Sequence, residues 1–191
     1  MAATRQQSEG DDINPTTEVR RRRPWKQRDV RDRKNWSEER QRWIQTHANS
    51  GLSMEALDVY KEMCEQGVVM DKYTFTFILK ASGIIKDEKT GCVIHGRVVK
   101  CGFYSNVFVG NALVAFYAKC HMIEACRSVF EEILQKDLVS WNSVISGYTT
   151  NGRFIEALEL FHTLLHNESI GAPDHATFKV YQKLEAEIGP V

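Results

Sequence analysis

The sequence predicts an all-α protein, an α-solenoid of stacked helix-turn-helix hairpins, and three observations carry that prediction. One set of residue types recurs at intervals of 35, 35 and 31 residues. Each recurring unit divides at a turn signal into two stretches of helical periodicity. The alternation of apolar and polar residues expected of strands is absent. Glu55-Ala56-Leu57 returns as Glu156-Ala157-Leu158, and Gly51 as Gly152, each 101 residues later. Stepping by the three intervals gives a small column (Ala56, Gly91, Cys126, Ala157) and an aromatic-type column (Tyr60, His95, Phe130, Phe161). Three apolar columns keep the same register: Ile44, Leu79, Val114, Ile145; Val59, Ile94, Val129, Leu160; and Met63, Val98, Ile133, Leu164. Five columns in one register mark internal repetition.

The register defines four units, 37–71, 72–106, 107–137 and 138–174. In the last unit Val144, Ile145 and Tyr148 have helical spacing and Asn151-Gly152 breaks the chain. Ile155, Leu158, Leu160, Phe161, Leu164 and Leu165 then predict a second amphipathic helix. The small residue in that second helix lets it approach the first closely. One hairpin cannot bury its own apolar stripe, so neighbours must stack. A period of this length favours a tetratricopeptide-like architecture over propeller or leucine-rich repeats. Beyond the fourth unit, within 175–191, Phe178, Tyr181, Leu184 and Ile188 predict a helix opposite Lys183, Glu185 and Glu187. It is either a polar-faced cap or the first helix of a truncated fifth unit.

The chain has 191 residues with 25 basic and 25 acidic side chains, but the zero net charge is a cancellation. Residues 1–36 hold ten Lys and Arg against six Asp and Glu, and the rest of the chain is correspondingly acidic. The run Arg20, Arg21, Arg22, Arg23 has no accompanying apolar periodicity, and Pro15 and Pro24 interrupt helix. The arm 1–36 therefore reads as disordered. It would serve organelle targeting, nuclear import, a nucleic-acid contact, or none of these as a solvated charge run. Four early carboxylates, Glu9, Asp11, Asp12 and Glu18, are unlike an ordinary transit peptide. No stretch approaches the roughly 18 to 20 apolar residues of a membrane span. Five cysteines without a secretory signal predict reduced thiols rather than a disulfide framework.

The residues in the columns resemble those of plant pentatricopeptide repeat proteins of the PLS subfamily, whose P, L and S units alternate. The motifs that carry the resemblance are Tyr73-Thr74-Phe75, Asn111-Ala112-Leu113-Val114, Tyr117-Ala118-Lys119-Cys120, Val139-Ser140-Trp141-Asn142 and Pro173-Asp174. The order reads P (37–71), L (72–106), S (107–137), P (138–174), and the match spans 37–178. Departures include Arg40-Gln41 in the first unit, His121 at a turn-glycine position, and a last unit two residues longer between Leu164 and Asp174. The match fades beyond Phe178, as in a truncated or alternatively ended member. The resemblance implies single-stranded RNA as the partner, one base per repeat, read by the fifth residue of each unit with its last residue. Those pairs are Gln41 with Asp71, Thr76 with Asn106, Asn111 with Asp137, and Asn142 with Asp174. The two Asn–Asp pairs imply pyrimidine, with uridine favoured. The competing assignment makes these residues helix caps and turn formers, and the two roles can coexist.

Other chemistry is expected to be absent. Cys92, His95, Cys120, His121 and Cys126 suggest zinc by spacing, but Cys126 and His95 already fill repeat columns and no paired C-x-x-C supports a site. His166-Asn167-Glu168 reproduces the H-x-E of zinc deaminases without the following P-C-x-x-C. The expectation is thus a short, non-catalytic member without a deaminase-like domain, needing no cofactor, metal, membrane or small-molecule substrate. It would act in RNA processing, editing or splicing in a plastid or mitochondrion, with other RNA-processing proteins as further partners. The alternative is a protein-binding scaffold of tetratricopeptide-like repeats whose acidic concave groove receives a basic or amphipathic peptide.

Overall fold

The computed structural model describes residues 33–167 and 170–188; the Arg-rich run and Glu168 lie outside them. Among the described residues there are helices and no strands: α1 (Arg33–Asn49), α2 (Ser53–Glu65), α3 (Lys72–Ile85), α4 (Glu88–Lys100), α5 (Val107–Lys119), α6 (Ile123–Glu132), α7 (Leu138–Thr150), α8 (Phe154–Leu165) and α9 (His175–Ile188). Helix α1 opens at Arg33, inside the stretch that composition assigns to the arm. The all-α solenoid is thus the observed fold.

Both ends of α3, α5 and α7 are chemically specified. Asp71, Asn106 and Asp137 are the N-caps of α3, α5 and α7, their side chains accepting from the backbone N–H three residues on. Asp174 does the same at the start of α9, accepting from Thr177 N at 2.8 Å. A side-chain acceptor here satisfies one of the helix's orphan donors. The turn inside each hairpin uses a left-handed residue at one register position: Gly51 (φ 78°), Lys86 (φ 54°), His121 (φ 60°) and Gly152 (φ 73°). The unusual His121 is therefore a non-glycine residue held in a glycine conformation. Its ring spans neighbouring turns, Nδ1 donating to Asn151 Oδ1 at 2.8 Å and Nε2 meeting Lys86 Nζ at 3.0 Å.

The helices form two layers. Each first helix packs along the next, α1 on α3, α3 on α5, α5 on α7 and α7 on α9, whereas successive second helices make no comparable contact. An array whose first helices touch and whose second helices stand apart curves toward the first-helix layer, which becomes the inner face. Each second helix is wedged between the first helix of its own hairpin and that of the next. The wedge corrects the role expected of the small column. A methyl group on Gly91 of α4 would overlap the ring of Phe116 on α5, and Cys126 Sγ of α6 lies 3.6 Å from where a Gly147 Cβ would stand on α7. Small residues there admit the next unit as well as the hairpin's own first helix. The aromatic column does likewise: His95 meets Tyr117, Phe130 meets Trp141, and Phe161 stacks on Tyr181.

Two apolar assignments need correction. In α8 only Ala157, Leu160 and Leu164 are buried, while Ile155, Leu158 and Leu165 are exposed, because a wedged helix buries one stripe. In α9, Phe178 is 54% exposed although its counterparts Phe75 and Trp141 are buried. After the longer last unit, Tyr181 is the aromatic that meets the preceding second helix.

Gly91→Ala should lower the urea midpoint by the equivalent of about 1–3 kcal/mol through overpacking against Phe116. Adding Phe116→Leu should recover part of the loss. Equal midpoints for wild type and Gly91→Ala would show that the ring does not hold this interface.

Candidate nucleic-acid interface

The inner face is lined by α3, α5, α7 and α9, and two adjoining cavities open on it. One, of about 400 Å³, includes Thr76, Lys80, Phe108, Asn111, Lys119 and Val139 among its walls. The other, of about 450 Å³, runs from Lys119 and Val139 past Asn142 and Ser146 to Val180. A smaller hollow, of about 220 Å³, holds Gln41 and Asp71 with Tyr73 and Phe77.

The four predicted pairs differ in geometry. Asn111 and Asp137 are joined directly, Asn111 Nδ2 donating to Asp137 Oδ1 at 3.2 Å. Because a carboxylate only accepts, this bond fixes the amide with its nitrogen toward Asp137. Asn142 and Asp174 are joined through a third residue: Asn142 Nδ2 donates to Thr177 Oγ1 at 3.1 Å, and Thr177 Oγ1 donates to Asp174 Oδ1 at 2.9 Å. In both cases the amide oxygen, Asn111 Oδ1 or Asn142 Oδ1, is buried and has no hydrogen-bond partner within the protein. Thr76 instead turns its hydroxyl to Lys72 O, and Asn106 is engaged as the cap of α5. Asp71 accepts from the N–H and O–H of Thr74, and Gln41 shares only the lining of its hollow.

Side chains not predicted for the site complete this surface. Tyr73, Phe108 and Val139 are each more than half exposed although large and apolar. Each is the second residue after the cap of its helix, so the three form one register column. Apolar character alone assigns them to the core; their step of 35 and 31 was the available signal. Lys72 Nζ lies 5.1 Å from the ring centres of both Tyr73 and Phe108. The column thus offers flat or branched apolar faces between the amides, with cations alongside.

The charge distribution corrects the acidic groove. Helices α3, α5 and α7 carry Lys72, Lys80 and Lys119 and not one Asp or Glu. The second helices α2, α4, α6 and α8 carry ten acids against five bases. The negative balance of the repeats therefore lies on the outer layer. Within the groove, burial pushes Asp137 up, but the backbone and side chain of Ser140 and the amide of Asn111 outweigh it and hold the carboxyl below its ordinary range. Asp174 is likewise lowered by the backbone and hydroxyl of Thr177. Of the cysteine and histidine positions considered for zinc, Cys120 and Cys126 are buried and His95 is part-buried, whereas Cys92 is exposed and His121 sits in a turn. Burial pushes the Cys126 thiol up to about 12, and His95 is lowered by burial beside Tyr117. Among the described residues, no group of three or more His, Cys, Asp or Glu could hold a metal ion.

Stacked hairpins with a lined inner face define a helical-repeat solenoid. The "PPR repeat" pattern matches residues 43–68, 111–138 and 139–167. The chain belongs to the pentatricopeptide repeat family. It is 40% identical over 136 residues to pentatricopeptide repeat-containing protein At5g39350 of Arabidopsis thaliana, covering 70% of this chain and 20% of that one. It is 44% identical over 124 residues to the chloroplastic protein At4g25270 of the same plant, covering 65% and 24%. The mitochondrial protein At4g31070, also from Arabidopsis, is 35% identical over 71% of this chain and 21% of its own. The chain thus spans about a fifth of the length of these relatives. The crystal structure of PPR10 in complex with an 18-nt psaJ RNA element superposes with a TM-score of 0.67 at 18% identity, over 78% of this chain and 22% of that one, and shows the shared fold.

The lowered carboxyls Asp87, Asp137 and Asp174 cap helices in their ionised form. Their contribution to stability is present above the unfolded carboxyl range, near pH 4, and is lost as pH falls through their lower folded values. The urea midpoint should therefore hold steady from pH 7 to about 5 and decline below about 4. Asp137→Asn, which still caps but does not titrate, should soften that decline; an unchanged acid limb would remove Asp137 from the account.

Proposed function

We propose that this chain binds single-stranded RNA along its inner face, each Asn–Asp unit selecting a pyrimidine with uridine favoured. The observation that carries the reading is the Asn111–Asp137 pair. One end of the amide is tied to a carboxylate, and the other end is a buried oxygen without a protein partner beside exposed Phe108 and Val139. Such an oxygen accepts a hydrogen bond, and the Watson–Crick edge of uracil presents the N3–H to fill it. The flanking side chains supply stacking faces worth about 1–3 kcal/mol per base, insensitive to base identity. Selectivity thus rests on the amide and affinity on the faces and lysines. The neighbour PPR10, crystallised with an RNA element, is consistent with this use of the fold.

The P-L-S-P order is supported by the spacing of the columns and by α6, ten residues long where α2 and α4 have thirteen. In the L-like unit, Thr76 turns away from Asn106, so this unit contributes less to base choice than the two Asn–Asp units. The role is a binding one within organellar RNA processing, editing or splicing, and plastid or mitochondrial placement follows the relatives labelled chloroplastic and mitochondrial. Fewer than five bases are covered, so the arm or an RNA-processing partner protein adds to affinity. A basic peptide finds no acidic side chain within α3, α5 or α7, whose nearby carboxylates are engaged as helix caps.

Titration of the full chain against a uridine-rich oligonucleotide tests the proposal. Asn111→Ala and Asn142→Ala should each weaken binding about tenfold without loss of helicity, in line with about 1–3 kcal/mol for one base-edge contact. Lys80→Ala and Lys119→Ala should each flatten the log–log salt dependence by about 0.7. Absence of binding at low salt would end the reading.

A further inference from the structure

The last unit differs from the third in how its reading amide is held. In the third unit Asn111 reaches Asp137 itself, and Ser140 stands aside, its hydroxyl donating to the same carboxylate at 2.9 Å. In the last unit the two extra residues between Leu164 and Asp174 precede the cap, and the hydroxyl of Thr177 stands between amide and carboxylate. Thr177 is completely buried, so its hydroxyl has no solvent alternative. Its single proton goes to Asp174 Oδ1, because a carboxylate cannot donate. Its lone pair therefore faces Asn142 and accepts only the amide N–H₂ end. An amide with its oxygen toward Thr177 would place two acceptors together.

We propose that Thr177 is the positioning residue of the last unit, resting on the RNA-binding reading above. It transmits the polarity set by Asp174 and thereby turns the Asn142 oxygen toward the base. The residue pair expected to carry base choice is in this unit a triad, Asn142–Thr177–Asp174. The third unit needs no such relay, although Ser140 occupies the matching position.

The consequence is an asymmetry between chemically similar substitutions. Thr177→Val keeps the shape, and the Thr177 N–H that Asp174 caps at 2.8 Å survives, so α9 still starts in place. The amide of Asn142 loses its director, and the last unit should prefer uridine over cytidine about five- to tenfold less than before. Thr177→Ser, which retains the hydroxyl, should restore that preference. Ser140→Ala should leave the uridine preference of the third unit within about twofold, because the Asn111–Asp137 bond is direct.

The measurements are competition binding of the full chain to oligonucleotides bearing uridine or cytidine opposite one unit at a time, and NMR of the Asn side-chain amides without RNA. In the NMR spectrum Thr177→Val should move the Asn142 NH₂ pair toward the averaged position of a free amide while leaving Asn111 unmoved. Unchanged Asn142 signals overturn the proposal, as does full uridine preference in Thr177→Val. If wild type binds no RNA, the functional reading falls, and the NMR comparison alone then decides whether Thr177 orients Asn142.

Discussion

Asp137 Oδ1 accepts from the backbone N–H of Ser140, from its hydroxyl, and from the amide of Asn111. The first bond starts a helix, and the third points a side chain 26 residues earlier into the groove. Because the cap of one unit is the last residue of the unit before it, in the third unit the start of α7 and the orientation of Asn111 are set by the same atom. Capping α7 and holding the Asn111 amide therefore do not compete for Asp137: a carboxylate oxygen with more than one lone pair serves both. The register of the solenoid and that of its site are locked together by this economy, and a shift of one residue would uncap the helix and release the amide at once.

The packing explains why the units must follow one another. A first helix such as α5 buries Phe116 against Gly91 of the preceding hairpin and Tyr117 against His95, so much of its apolar surface belongs to a neighbour. Stability of such an array is a sum of unit and nearest-neighbour terms. The inner layer is the better packed because its helices touch; the outer layer carries most of the acids, where spacing between second helices and access to water keep like charges apart.

Much of this was legible in the sequence, and the reason is periodicity. Five columns at fixed intervals identify buried stripes, and Ile44, Leu79, Val114 and Ile145 are indeed all fully buried. What periodicity cannot assign is the partner of each column. Gly91 reads as a small residue, but only the position of the next hairpin reveals that Phe116 fills the space above it. Tyr73, Phe108 and Val139 are apolar and periodic like the core, and they become surface only because the inner layer curves around a groove. Thr177 is hidden for another reason: the fixed register places it at an ordinary cap position beside Ser140 and Thr74, and only the structure shows its hydroxyl between Asn142 and Asp174.

The balance of charge shows the same dependence on layering. Summed over the repeats, the charge is negative and would repel a polyanion; sorted by layer, it is not. RNA phosphates interact most with charges within about a Debye length, roughly 8–10 Å at moderate salt. Lys72 and Lys80 of α3 and Lys119 of α5 lie at the groove itself, while the outer acids are a helix layer away, about 10 Å when helices pack at ordinary distances. Screening therefore weights the near charges over the far acids, and because the capping carboxylates Asp71, Asp137 and Asp174 stand near the three lysines, the groove is close to neutral rather than acidic. Under the proposed RNA-binding role, small phosphate attraction leaves hydrogen bonds to base edges a larger share of the binding energy, so a wrong base costs proportionately more.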